Sequence, residues 1–500
     1  MNVTVNDLQS ILPALSLIVG GFAVVALATL VHPEKRQRFS EYICYTVLTV
    51  ALVIAFLPIL RSHGDQSIAV EGFRRAVRLD ELAIYLTLAI ISATGLTVVL
   101  SADAMKGLEA AHGEYYGLVL LGASGMMLLV EAQDLITFFI SLEVLSLALY
   151  ALSGLLRRDT RSNEAAIKYF VMGAFASGFV LYGMALLYGA TGTLLLPEIG
   201  SRIASGTAQP GSLVTTGVLL LSVGLAFKVG AVPFHQWVPD VYEGAPTSVT
   251  AFMSVAVKSA GFGALLRILV TAVRPEAASW GPLLWGLAML TMVAANLLAV
   301  AQQNVKRMLA YSSVAHTGYV LAALASLGQP GETGVVETQT GSASVYYLFV
   351  YTFMTLGAFA FLIFAGRGER DAEDISDFAG LAKRQPWSAM AMTVFMISLG
   401  GIPPTAGFFG KFLLFKAMIE AKEYALVIVG VLSSAVSLYY YLRVVVYMYM
   451  KPEPQGAETP RFGFNAGLVV VGCAAFTLIL GLIPGRYLTL SYQSIEMLLR

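Results

Sequence analysis

The chain has 500 residues, of which 57% are hydrophobic and only 12% charged, and its formal net charge is zero. Soluble domains carry about 25% charged residues, so a water-soluble fold is excluded. The neutral balance also argues against a nucleic-acid partner, and what remains is a polytopic membrane protein with almost no extramembrane domain.

Apolar runs of about 18 to 25 residues, each enough for a hydrocarbon core of about 30 Å, recur along the chain. The first covers 8–31. It has no basic leader or small-residue cleavage site, and Lys35, Arg36 and Arg38 follow it, so it reads as a retained helix. Further runs lie at 40–60, 79–101, 115–131, 134–156 and 164–190. The seventh, 212–237, runs into AFKVGAVPFHQWVPD (Ala226 to Asp240), where Pro233 removes a backbone donor and crowds the turn before it. Runs at 247–272, 280–301, 306–327 and 343–366 come next. The twelfth, 386–418, would be roughly 50 Å long as one helix, too long for a straight span. It carries GGIPPTAGFFGK from Gly400 to Lys411. Runs at 422–449 and 464–484 complete about fourteen spans.

The expected fold class is therefore an all-α membrane protein with about 14 transmembrane helices in a single polytopic domain. The two broken spans are five segments apart, and an odd repeat reverses direction in the membrane. Helices 1–3 (residues 1–114) then precede a five-helix repeat (115–272), its inverted copy (280–449), and a C-terminal helix and tail (464–500). In transporters built this way, corresponding interrupted helices mark the pathway. Loop lysines and arginines place both termini outside, with Lys106, Arg157, Arg158, Arg367 and Arg461 among the inner charges and Arg500 among the outer ones.

A charge at bilayer depth is costly and marks a functional pathway by default. Glu143 lies well inside the fifth span, as a proton-taking carboxylate or one tuning a lysine. Lys168, near the start of the sixth, has Glu143 or Glu164 as candidate partner. Lys228 precedes the first break and Lys258 lies at mid-depth in the next span. Two close lysines in low dielectric cannot both ionise cheaply, so a neighbouring charge can switch them. Lys411 occupies the matching place at the second break. His235 beside the first break and His316 in SSVAHTGY are relay candidates, because histidine titrates near neutrality. Lys416, Arg267 and Arg443, nearer span ends, read as structural. The stretch Glu373 to Trp387 reads as an amphipathic connector.

Cys44 and Cys473 are isolated in apolar runs, the histidines are scattered, and no phosphate-binding loop occurs. Iron–sulfur clusters need four cysteine-type ligands, so the expectation is that this chain binds no cofactor or metal.

PFHQWVPDVYEGAPTSVTAF (Pro233 to Phe252), KRMLAYSSVAHTGY (Lys306 to Tyr319) and GIPPTAGFFGK (Gly401 to Lys411) resemble the antiporter-like membrane subunits of respiratory complex I. The resemblance covers essentially the whole chain. PDVYEGAPT, the lysine at 411 and the length are most similar to the N-type members; M-type members usually place a glutamate there, and L-type members are longer. Ser248 departs from the family, which commonly has a second proline at that place. The resemblance implies a proton-translocating subunit of NADH-quinone oxidoreductase in a bacterial inner membrane, with Glu143, Lys168, Lys228, Lys258 and Lys411 on its pathway. It implies an M-type antiporter-like neighbour and small K-, J- and A-type subunits as partners within the lipid bilayer. FMN, iron–sulfur clusters and quinone would belong to other subunits. A subunit of a multi-subunit cation/proton antiporter is the alternative, and a scaffold without a pathway is a third.

Overall fold

A computed structural model of the chain describes residues 4–61, 69–105, 112–328, 334–366, 370–453 and 463–499. Lys106, Arg367, Arg461 and Arg500, counted above for orientation, lie outside the described residues.

In hydrocarbon only helices and closed barrels satisfy their own backbone, and this chain is helical almost throughout. Its first spans are α1 (Val5–Ala28), α2 (Pro33–Arg61), α3 (Glu81–Ala104), α4 (His112–Glu131), α5 (Leu135–Ser153) and α6 (Thr160–Thr191). Side chains close their open N–H groups: Thr4 caps α1, Asp80 caps α3, Asp134 caps α5 and Asp159 caps α6. A short helix, α7 (Leu196–Ala204), leads to α8 (Gly211–Val229), α9 (Trp237–Gly244), α10 (Thr247–Phe252) and α11 (Lys258–Thr271). The spans α12 (Ala277–Val300), α13 (Val305–Ala325) and α14 (Val335–Phe364) follow. After a single turn, α15 (Leu381–Arg384), come α16 (Pro386–Gly400), α17 (Ala406–Glu420), α18 (Tyr424–Met450), α19 (Phe464–Leu482) and α20 (Gly485–Leu499).

Among the described residues thirteen helices are long and apolar enough to cross a membrane. The broken pair α16–α17 supplies the remaining span of the expected set. The spans Thr247–Thr271 and Val305–Gly328 are buried all round, and α14 nearly so. Helices apolar on every side belong in such a core. The surrounding helices α1, α2, α6, α18 and α19 have only about a third of their residues buried and turn apolar faces outward, Phe175, Val431 and Leu468 among them.

Both breaks start from a glycine. α8 stops at Gly230 (φ 76°), whose N–H returns to the Ala226 and Phe227 carbonyls, and α16 stops in the same way at Gly401 (φ 83°). The left-handed glycine cap therefore ends the seventh span short of Pro233, the expected break point. Four smaller elements have no counterpart among the expected spans. A hairpin pairs Val70–Gly72 with Val77–Leu79, α7 and α20 are short and amphipathic, and a π-turn covers Met253–Val257.

Candidate functional site

Glu143 and Ser146 are one turn apart on α5 and so share a face. The Ser177 hydroxyl of α6 donates to Glu143 Oε1 at 2.5 Å. Lys228, in the last turn of α8 and 5% exposed, donates to Ser146 Oγ at 2.8 Å. Its ammonium also lies 5.7 Å from the Tyr169 ring centroid. Glu143 and Lys228 are thus joined through α5 without direct contact.

Beyond Lys228 a cavity of about 10 Å³ is lined by Lys228, Lys258, Tyr242 and Trp237, among others. That volume is at the lower limit for one water, and both lysines line it. Lys258 follows directly on the π-turn, a distortion frequent at functional positions. Its ammonium donates to the Ser313 carbonyl of α13 and lies 5.3 Å from the Tyr351 ring centroid.

From Ser313 the path continues along one stripe of α13, because residues three apart lie over one another. His316 hydrogen-bonds through Nδ1 to the Tyr347 hydroxyl and through Nε2 to the Tyr441 hydroxyl at 3.1 Å. Tyr319, one turn further, packs edge-on against His316 at 5.6 Å between centroids. The Lys411 ammonium lies 5.0 Å from the Tyr319 ring centroid. It donates to the Leu399 carbonyl at 2.8 Å, the Gly400 carbonyl at 3.4 Å and Ser434 Oγ at 2.9 Å. Those carbonyls belong to the last turn of α16, where a helix that stops at mid-membrane leaves acceptors open and the negative end of its dipole exposed. α13 is fixed to the first break as well, since Thr317 Oγ1 donates to the Val229 carbonyl at 2.7 Å.

Lys168 does not reach Glu143. It is 41% exposed and pairs with Glu164 at 2.7 Å and with Asp240 at 2.7 Å. The side chain points toward α9, where Asp240 also accepts from Arg307 at 2.9 Å and Glu243 from Arg307 at 2.7 Å. Burial opposes the Asp240 charge, but the Lys168 and Arg307 hydrogen bonds outweigh it and hold the carboxyl below its ordinary range. Lys306 adds bonds to the Glu243 carbonyl at 3.1 Å and the Ala245 carbonyl at 2.9 Å, and pairs with Glu373 at 3.2 Å. This cluster borders a 190 Å³ pocket and ties α6, α9, α13 and the connector before α15 together at one face. The connector, expected only as an amphipathic linker, therefore supplies an ion-pair partner. Asp240 and Arg307 were not singled out in the sequence, although both lie inside quoted motifs. His235 is half-buried between α8 and α9, with Nδ1 unpartnered among the described residues and no tie to the lysines.

The chain matches the family model described as NADH:quinone oxidoreductase/Mrp antiporter, TM, over residues 132–437. It is 42% identical to NADH-quinone oxidoreductase subunit N of Trichlorobacter lovleyi over 495 residues, covering 99% of this chain and 98% of that one. Among solved structures, a chain of respiratory complex I from Thermus thermophilus with bound aureothin superposes with a TM-score of 0.79. The two are 34% identical, over 96% of this chain and 99% of that one. A chain of the Mrp complex from Dietzia sp. superposes with a TM-score of 0.85 over 99% and 98% of the two chains, and at 22% identity this similarity shows the fold alone. With Lys228, Lys258 and Lys411 in place across both broken spans, the chain belongs to the NADH:quinone oxidoreductase/Mrp antiporter family of multi-pass membrane proteins, among the subunits N of NADH-quinone oxidoreductase.

Proposed function

We propose that this chain translocates protons as a membrane subunit of NADH-quinone oxidoreductase, without redox chemistry of its own. One observation carries the reading: three buried lysines follow one another across both broken spans, from Glu143 and Ser146 through Lys228, the shared cavity and Lys258 to Ser313, His316, Tyr319 and Lys411. Electron transfer in other subunits, which would hold FMN, iron–sulfur clusters and quinone, changes the charge at one end of this file. Each lysine then takes or releases a proton as its neighbour's charge alters. Lys168 stands off the file, in the Asp240–Arg307 cluster, and acts where protons are taken up from the face bearing that cluster. On the sequence reading that face is cytoplasmic, both termini are periplasmic, and M-, K-, J- and A-type subunits are the neighbours in a bacterial inner membrane.

The test is proton pumping by the complex in vesicles carrying Lys228→Ala or Glu143→Ala. Either variant is expected to lower the ratio of protons pumped to NADH oxidised, and a full ratio in both would sink the reading. A cation/proton antiporter role, the second reading, draws on the shared fold and predicts transport that depends on sodium.

A further inference from the structure

At the opposite face from Asp240 a second group of buried charges has no place in the lysine file. Arg267 of α11, 1% exposed, makes a two-pronged pair with Asp80, from Nη1 at 2.8 Å and from Nη2 at 2.7 Å, and its Nε donates to the Val130 carbonyl at 2.8 Å. The next residue on α4 is Glu131, which is 0% exposed. Neither of its carboxyl oxygens has a hydrogen-bond partner among the described residues. Asp80 takes both prongs of Arg267 and also faces Arg78, so Glu131 is left with no cation hydrogen-bonded to it among the described residues. Three further buried groups at this end of the bundle are unpartnered: the Tyr85 hydroxyl, the Thr87 hydroxyl and the Gln133 amide. Folded proteins leave few buried polar groups unpaired, and a carboxyl with both oxygens unpaired calls for an explanation.

An ionised carboxylate without hydrogen bonds is very costly in an apolar interior, whereas the neutral acid is far less so. Glu131 is therefore built to hold a proton and to give it up only when charge nearby changes. Its surroundings lead in both directions. Inward, Arg267 and Lys258 share α11 and are roughly 13 Å apart at helical rise. α11 comes close to α3 and α4 at Gly263, where any side chain would run into Leu86 and Val130. Outward, Asp80 also faces Arg78 at 3.7 Å, and the Arg78 side chain is 31% exposed. We propose that Glu131 is a further proton-carrying residue, which exchanges protons between the Lys258 region and the face that Arg78 reaches. Asp80 and Arg267 are positioning residues that set the charge beside it. The proposal rests on the proton-pumping reading above.

The experiment uses the assembled complex in vesicles. Glu131→Gln keeps shape and removes the titratable group, and Glu131→Asp keeps the group. Pumping per NADH is expected to fall in Glu131→Gln as far as in Lys228→Ala, and to return in part in Glu131→Asp. Independently, dicyclohexylcarbodiimide, which reacts with protonated carboxyls in apolar surroundings, is applied to the wild-type complex. The adduct at residue 131, mapped by mass spectrometry, is expected to form at a rate that differs roughly twofold or more between rest and NADH turnover. A wild-type pumping ratio in Glu131→Gln overturns the proposal, and so does labelling indifferent to turnover, which needs no variant to assemble. Full pumping in both Lys228→Ala and Glu143→Ala would instead remove the underlying functional reading.

Discussion

Replacing His316 by phenylalanine should break the file between its two halves. Ser313 and Tyr319 are separated by roughly 9 Å along α13, well beyond the roughly 3 Å of one hydrogen-bonded transfer, so the proposed file needs a titratable group between them. We assign that place to His316, whose two nitrogens hydrogen-bond Tyr347 and Tyr441. Phenylalanine keeps the ring and removes both contacts. Tyr441 retains Ser312 as partner, whereas Tyr347 is left with none among the described residues, a cost of about 1–3 kcal/mol. That loss is small against the packing of a fully buried helix, so the complex should still assemble. Proton transfer should slow by about a hundredfold or more, the usual loss when a positioned acid–base group is removed. The assay is vesicle acidification per NADH oxidised, with the NADH oxidation rate measured alongside. His316→Phe should depress at least one of the two, and Tyr347→Phe, which leaves the imidazole in place, should depress them less. Wild-type values of both in an assembled His316→Phe complex would refute the relay.

Ser146→Ala removes the one hydroxyl that Lys228 hydrogen-bonds among the described residues, a charged bond worth about 1.5–3 kcal/mol, and should lower pumping without lowering the amount of complex on a native gel. Arg267→Met alone strands the Asp80 charge and should cost about 3–5 kcal/mol, read as reduced assembly, while adding Asp80→Leu should restore most of it. The Asp240 carboxyl is held below its ordinary value near 4 by Lys168 and Arg307, after burial has worked the other way. The stability it gives is present above that ordinary value and is lost as pH falls through the depressed one. Each contact is partly exposed and worth about 0.2–1 kcal/mol, so Asp240→Asn should flatten the acid limb of a thermal-melt series only slightly. Gly407→Val puts a side chain against the Ser398 carbonyl at the second break, and should cut the yield of assembled complex.

The membrane class and the spans were legible because apolar runs are local and long. So were the two breaks and the buried lysines, each of which violates a local rule within its run. What a single sequence hides is pairing at distance. Arg267 read as a structural charge near a span end and Asp80 was not singled out, yet they form a bidentate pair across the bundle. Lys168 offered Glu143 as a partner because their spans are consecutive. The structure pairs it with Glu164, the other candidate, and with Asp240, beyond the first break, where α9 packs against α6. Tyr319, Tyr347 and Tyr441 were not singled out in the sequence, since only their hydroxyl contacts and ring faces mark them. Glycine 230 was a readable signal: a left-handed cap ends a helix before a following proline needs to.

On the proposed file, the partners of the three buried lysines say how the breaks would serve transport. Lys228, Lys258 and Lys411 form no ion pair among the described residues, and their acceptors are the hydroxyls of Ser146 and Ser434 and the carbonyls of Ser313, Leu399 and Gly400. Lys168 and Lys306, at the face, are paired with carboxylates. A buried carboxylate partner would fix a lysine in its charged form, because breaking such a pair costs about 3–5 kcal/mol. A neutral acceptor holds the ammonium by about 1.5–3 kcal/mol and survives its loss. Moving one charge against 100 mV takes about 2.3 kcal/mol, which lies inside the second range and below the first. The α16 break supplies such acceptors to Lys411 from its own backbone, which no proton can neutralise at physiological pH. The first half reaches the same end through the Ser313 carbonyl of an unbroken helix, so a carrier needs a neutral acceptor at each station, and an interrupted helix is one way of providing it.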